Sequence, residues 1–104
     1  MYDIYRISLS SPLGIKYGSL QYAEDGRQGD ITLSLFGYES RMNAQRDADE
    51  SIKFNGSIRF ITGSRPCTGE FRITDKNMTG KLILRGISIP FKGILEERED
   101  QHDQ

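Results

Sequence analysis

The chain has 104 residues, of which 36% are hydrophobic and 28% charged, with a formal net charge of −1. That length supports one hydrophobic core and excludes two independently stable ones. Five Phe and five Tyr spread along the chain exclude general disorder. The charge is uneven: Glu96 to Gln104 holds five acids against Arg98, leaving residues 1 to 95 at +3. So mild a surplus is no nucleic-acid footprint, which needs clustered Lys and Arg.

The first predicted element is a strand from Tyr2 to Leu9, ended by Ser10-Ser11-Pro12-Leu13-Gly14. The opening residues show no basic segment followed by an apolar run, and no stretch approaches the roughly 18 apolar residues of a membrane span. A cytoplasmic location and no membrane partner are expected. Cys67 is the only cysteine, so no intramolecular disulfide can form, as suits a reducing compartment.

From Gly18 onward apolar and polar residues alternate, the period of a half-buried strand. Gly18, Leu20 and Tyr22 are followed, after a Glu24-Asp25-Gly26 turn, by Gly29, Ile31, Leu33 and Leu35. The stretch 38–51 is read as a fourth strand with Met42 and Ala44 inward and Asp47 to Glu50 as its turn. Its Glu, Arg, Met, Ala and Gln also favour a rival reading, a short helix over the barrel mouth. The frame then returns as Phe54, Gly56, Ile58, Phe60; as Cys67, Gly69, Phe71, Ile73; as Met78, Gly80, Leu82, Leu84; and as Ile89, Phe91, Gly93, Leu95. Turns are expected at Gly63-Ser64-Arg65-Pro66, Asp75-Lys76-Asn77 and Arg85-Gly86.

A glycine stands on the apolar face of nearly every repeat. Glycine lets strands bend sharply and approach closely, and small inward residues alternating with large ones suit a coiled interior. The fold expected is all-β, an antiparallel up-and-down meander of about eight strands closed or nearly closed into a small barrel. One barrel domain spans 1–95, and 96–104 form an acidic disordered tail.

The run from "SPLGIKYGSL" through "IKFNGSIRF", "CTGEFRI" and "MTGKLILRGISIPFKG" resembles a group of small uncharacterised bacterial proteins built of Gly-x-apolar strands. It is also similar in overall plan to avidin-like and lipocalin-like barrels, the calycin plan. The chain lacks any Trp, including that of the lipocalin Gly-x-Trp motif, so the resemblance implies a fold and carries over no ligand residues.

Catalysis needs a base near a nucleophile or metal, and His102, the only histidine, lies in the tail. No enzyme activity, cofactor or metal is expected. Asp47, Asp49 and Glu50 lack the spacing of a calcium loop. Arg59, Arg72, Lys81, Arg85 and Lys92 face outward without aromatics to stack bases, which argues against single-stranded nucleic acid.

Lys16, Arg27 and Arg46 fall in the inward phase, where an unpaired buried charge is costly, and so belong at barrel rims. These features point to a non-catalytic module that binds a small, partly apolar or amphiphilic ligand at the mouth near residues 38–50. Lys16, Tyr22, Arg46, Phe54 and Phe60 are its candidate site residues. The rival is a structural or protein-interaction domain with a filled interior, homo-oligomeric through Tyr17, Ile61, Ile83 and Ile94.

Overall fold

A computed structural model describes residues 2–99. Its elements are β1 (Tyr2–Ser11), β2 (Gly14–Asp25), β3 (Gln28–Leu35), β4 (Tyr38–Arg46), β5 (Ile52–Phe60), β6 (Gly63–Thr74), β7 (Asn77–Leu84) and β8 (Ile87–Glu99). Each strand pairs antiparallel with the next, and β8 returns to β1, closing the barrel. The meander expected from the alternation is the fold, and closure removes the free edges that an open sheet would present. Residues 38–46 are a strand with Met42 and Ala44 buried.

Two boundaries differ from the sequence expectation. Gly63-Ser64-Arg65-Pro66 opens β6 instead of forming the turn, because Ile61-Thr62 alone makes the connection. Pro66 is tolerated in the strand since pairing with β7 begins one residue later, at Cys67↔Leu84, so its missing N–H breaks no bond to β7. The domain also runs past residue 95: β8 continues to Glu99, paired with Tyr2. Arg98 Nε donates to Asp3 Oδ1 at 2.9 Å and Arg6 Nη2 to Glu96 Oε2 at 2.5 Å, so a base and an acid expected in a tail are each ion-paired with β1. The rest of the expected tail, 100–104, lies outside the described residues.

The register explains the repeated glycines. Gly69 sits between Phe54 on β5 and Leu82 on β7, and Gly80 between Phe71 on β6 and Phe91 on β8. Large and small side chains therefore alternate around the circumference as well as along the strands. A Cβ at Gly69 would lie 2.6 Å from the Lys81 carbonyl oxygen and closer still to the Phe54 ring. The interior is filled by one apolar cluster in which Phe71 meets Phe54 (ring centroids 6.0 Å apart) and, edge to face, Tyr22 (5.6 Å). An eight-stranded barrel is only wide enough for its own side chains, and these occupy it.

Candidate functional site

Alternating hairpins give the barrel two unlike ends. The β2–β3, β4–β5 and β6–β7 connections share one end with the N-terminal residues of β1 and the C-terminal residues of β8. The β1–β2, β3–β4, β5–β6 and β7–β8 connections share the other. Six of the seven connections are two residues long, and the exception is Asp47 to Ser51.

The first end is closed by ion pairs. Arg46, inward in phase, donates from Nε and Nη2 to the two carboxylate oxygens of Glu24 at 2.6 and 2.9 Å, and from Nη1 to Glu50 at 3.2 Å. Asp47 takes Lys53 Nζ at 2.8 Å, and Asp49 takes Arg72 Nη2 at 3.1 Å while accepting from the Ser51 amide and hydroxyl. The carboxylates of the long loop thus face cations and loop donors of the protein itself. The Arg46 hydrogen bonds hold the Glu24 carboxyl below its ordinary value, and burial, with Glu24 alongside, pushes the Tyr22 phenol well above its own.

A carboxyl whose folded pKa is depressed adds stability above its unfolded pKa and loses it as pH falls through the folded value. Acidification below about pH 4.5 is therefore expected to weaken the protein, and Arg46→Met to remove about 1 kcal/mol of that acid loss after allowance for solvent screening. Urea unfolding of both proteins at neutral pH and at pH 3 measures the difference. Parallel pH profiles would show that the pair contributes nothing.

The second end is open and apolar. A cleft of about 430 Å³ lies there, lined by Phe36, Phe60, Ile61, Thr62, Arg65, Leu84 and Arg85. Phe36 and Phe60 pack against each other in its lining, with ring centroids 5.1 Å apart and planes tilted by 31°. Phe36 and Arg85 each take the first position of a two-residue turn followed by glycine, at φ 58° and 55°. A bulky side chain in this left-handed region costs on the order of 1 kcal/mol, which Asn or Gly would avoid. Phe36 stays there and supplies one wall of the cleft.

Arg65 is the cation of this site. It pairs across the ladder with Ile58, a buried inward residue, so its side chain starts in the inward phase beneath the cleft. Its Nη1 donates to the Ser64 carbonyl at 3.0 Å, and it forms no ion pair among the described residues. Two inward-phase arginines therefore mark the two ends: Arg46 is saturated by carboxylates and Arg65 is not.

The wall beside the cleft is the least paired in the barrel. The β4–β5 register runs only from Asn43↔Asn55 to Arg46↔Ile52, whereas the neighbouring hairpins pair along nearly their full length. Above it the seam is joined by side chains: the Arg59 amide donates to Ser40 Oγ at 2.9 Å, and the Arg59 guanidinium stacks 5.7 Å over the Tyr38 ring.

The five site residues expected from sequence are not brought together. Phe60 lines the cleft, Phe54 is packed in the core over Gly69, and Tyr22 and Arg46 belong to the ion-paired end. Lys16 is exposed on β2, on the hairpin side of the barrel. Phe36, Arg65, Leu84 and Arg85 were not among the candidates. The two dipeptides Phe36-Gly37 and Arg85-Gly86, both turn signals, could have located the cleft once hairpin parity was followed. Cys67 is buried and its thiol is pushed up to about 11 by that burial, so it is held as an unreactive thiol.

No family model, curated protein or solved structure matches this chain.

Proposed function

We propose that the protein is a non-catalytic binding module that takes a small amphiphile with an anionic head at the hairpin end. The observation that carries this reading is Arg65, an inward-phase guanidinium without a carboxylate partner among the described residues, set beside Phe36, Phe60 and Leu84. An apolar cleft of this size with one or two converging cations is the usual form of such a site. The aromatic walls would take the apolar body, and Arg65 with Arg85 would take the head through paired N–H donors.

The anionic naphthalene dye 1-anilinonaphthalene-8-sulfonate is a direct probe. One equivalent is expected to bind with enhanced fluorescence, and Arg65→Ala to weaken it by about tenfold, the value of one charge-assisted hydrogen bond. Arg46→Met is expected to leave dye binding unchanged. Absence of binding, or equal loss in both variants, would refute the site.

A second reading has its own support. Tyr17 and Ile94 are largely exposed on the outer wall, where they flank a groove of about 530 Å³ along β1 and β8. Such a surface suits self-association or a protein partner. Light scattering separates the versions: a concentration-dependent dimer disrupted by Ile94→Glu supports self-association, and a monomer at all concentrations removes it.

A further inference from the structure

We infer that the hairpin end is a docking surface for an anionic lipid bilayer. All four connections at that end carry or adjoin an exposed apolar side chain: Leu13 and Ile61 are each 87% exposed, Phe36 is 44% and Ile87 is 50%. Leu13 and Ile61 belong to the β1–β2 and β5–β6 hairpins, which lie on opposite sides of the closed ring. Two protruding apolar tips facing each other across a barrel mouth can enter a flat interface together. The connections at the opposite end, Gly26-Arg27, Asp47 to Ser51 and Asp75-Lys76, carry no large apolar residue.

Charge follows the same division. On the hairpin half, residues 9–17, 33–41, 57–67 and 82–91, Lys16, Arg41, Arg59, Arg65 and Arg85 stand against Glu39 alone, a net +4. The rest of the described chain holds twelve acids and nine bases, a net −3. The fold thus aligns an apolar, cationic end against an acidic one. A bilayer with an anionic surface attracts the first and repels the second, which fixes the orientation of docking. Apolar side chains that reach below the headgroups then add a term that salt does not screen.

The expectation of no membrane partner rested on the lack of a long apolar run. Docking by one side chain in or beside each of four turns leaves no such run. Docking goes beyond the cleft reading and does not depend on it, because Leu13 and Ile87 do not line the cleft.

The test is sedimentation with vesicles of phosphatidylcholine, with and without phosphatidylglycerol, at low and high salt. Binding is expected only to the anionic vesicles and to weaken with salt. Leu13→Glu and Ile87→Glu are expected to reduce it about tenfold each, and Arg85→Ala about fivefold. Both glutamate variants should retain dye binding in the cleft, so loss of vesicle binding with the dye still bound isolates the tips. Ile94→Glu on the outer wall should sediment like the parent protein. Equal binding to neutral vesicles, no binding at all, or a loss with Ile94→Glu matching that of the tip variants would overturn the proposal.

Discussion

Valine at position 69 is expected to lower the free energy of unfolding by about 3 kcal/mol or more, at the upper end of overpacking effects. The reason is local. Gly69 lies directly opposite Phe54 on one side and Leu82 on the other, and any Cβ there meets the Phe54 ring and, at 2.6 Å, the Lys81 carbonyl oxygen. A flexible side chain could move aside, but the carbonyl belongs to the ladder between β6 and β7 and cannot. For a domain of this size such a loss lowers the melting temperature by roughly 10 °C or more. Thr79→Val, on the exposed face of β7, controls for the strand preference of valine and is expected to change stability by no more than about 0.5 kcal/mol. Denaturant unfolding of both variants provides the comparison, and a neutral Gly69→Val would mean that the glycines do not face a crowded interior.

Truncating Phe71 to alanine is expected to be the most damaging core change, at about 3–5 kcal/mol. Phe71 is 1% exposed and touches both Phe54 and Tyr22, so its removal opens a void between residues from β2, β5 and β6. Rigid walls of hydrogen-bonded strands collapse poorly around such a void, which keeps the cost near the top of the range. Phe36→Ala is expected to differ sharply. Its ring is 44% exposed and its backbone is already in a costly conformation, so its loss should leave stability within about 1 kcal/mol while lowering dye affinity. Thermal melts of the two variants, read beside dye titrations, separate core residues from cleft residues. A Phe36→Ala as destabilising as Phe71→Ala would place Phe36 among the structural residues.

The barrel was legible in the sequence because alternation and glycine spacing report directly on which face of each strand is inward. Phe54, Gly69, Phe71 and Gly80 take the positions that the pattern assigns to them. The segment 38–51 was harder to read, since Glu39, Arg41, Met42 and Ala44 suit a helix by propensity. Burial of Met42 and Ala44 in the shared core decides for the strand. The continuation of β8 through Glu96 to Glu99 was hidden by composition, because Glu96 paired with Arg6, and Arg98 paired with Asp3, read alike with the charges of a solvated tail.

The cleft was not legible from periodicity alone, for a topological reason. Periodicity gives the phase of a side chain but not the end of the barrel at which it emerges. Tyr22, Arg46 and Phe60 share the inward phase, yet Phe60 reaches the hairpin end and Arg46 the opposite one. Arg65 was lost for a second reason: Gly63, Ser64 and Pro66 around it suggest a turn, and only the two-residue Ile61-Thr62 connection returns Arg65 to the ladder opposite Ile58. Ile61, read as a residue of the outer wall, is likewise moved to a hairpin tip.

The most direct measurement is an amide-resolved NMR titration of the protein with decanoate, a small anionic amphiphile. Shift changes are expected to cluster at Phe36 and Gly37, from Phe60 to Arg65 and from Leu84 to Gly86, and to shrink strongly in Arg65→Ala. Changes centred instead on Tyr22, Glu24 and Arg46, or along the Tyr17 and Ile94 wall, would contradict a binding site at the hairpin end.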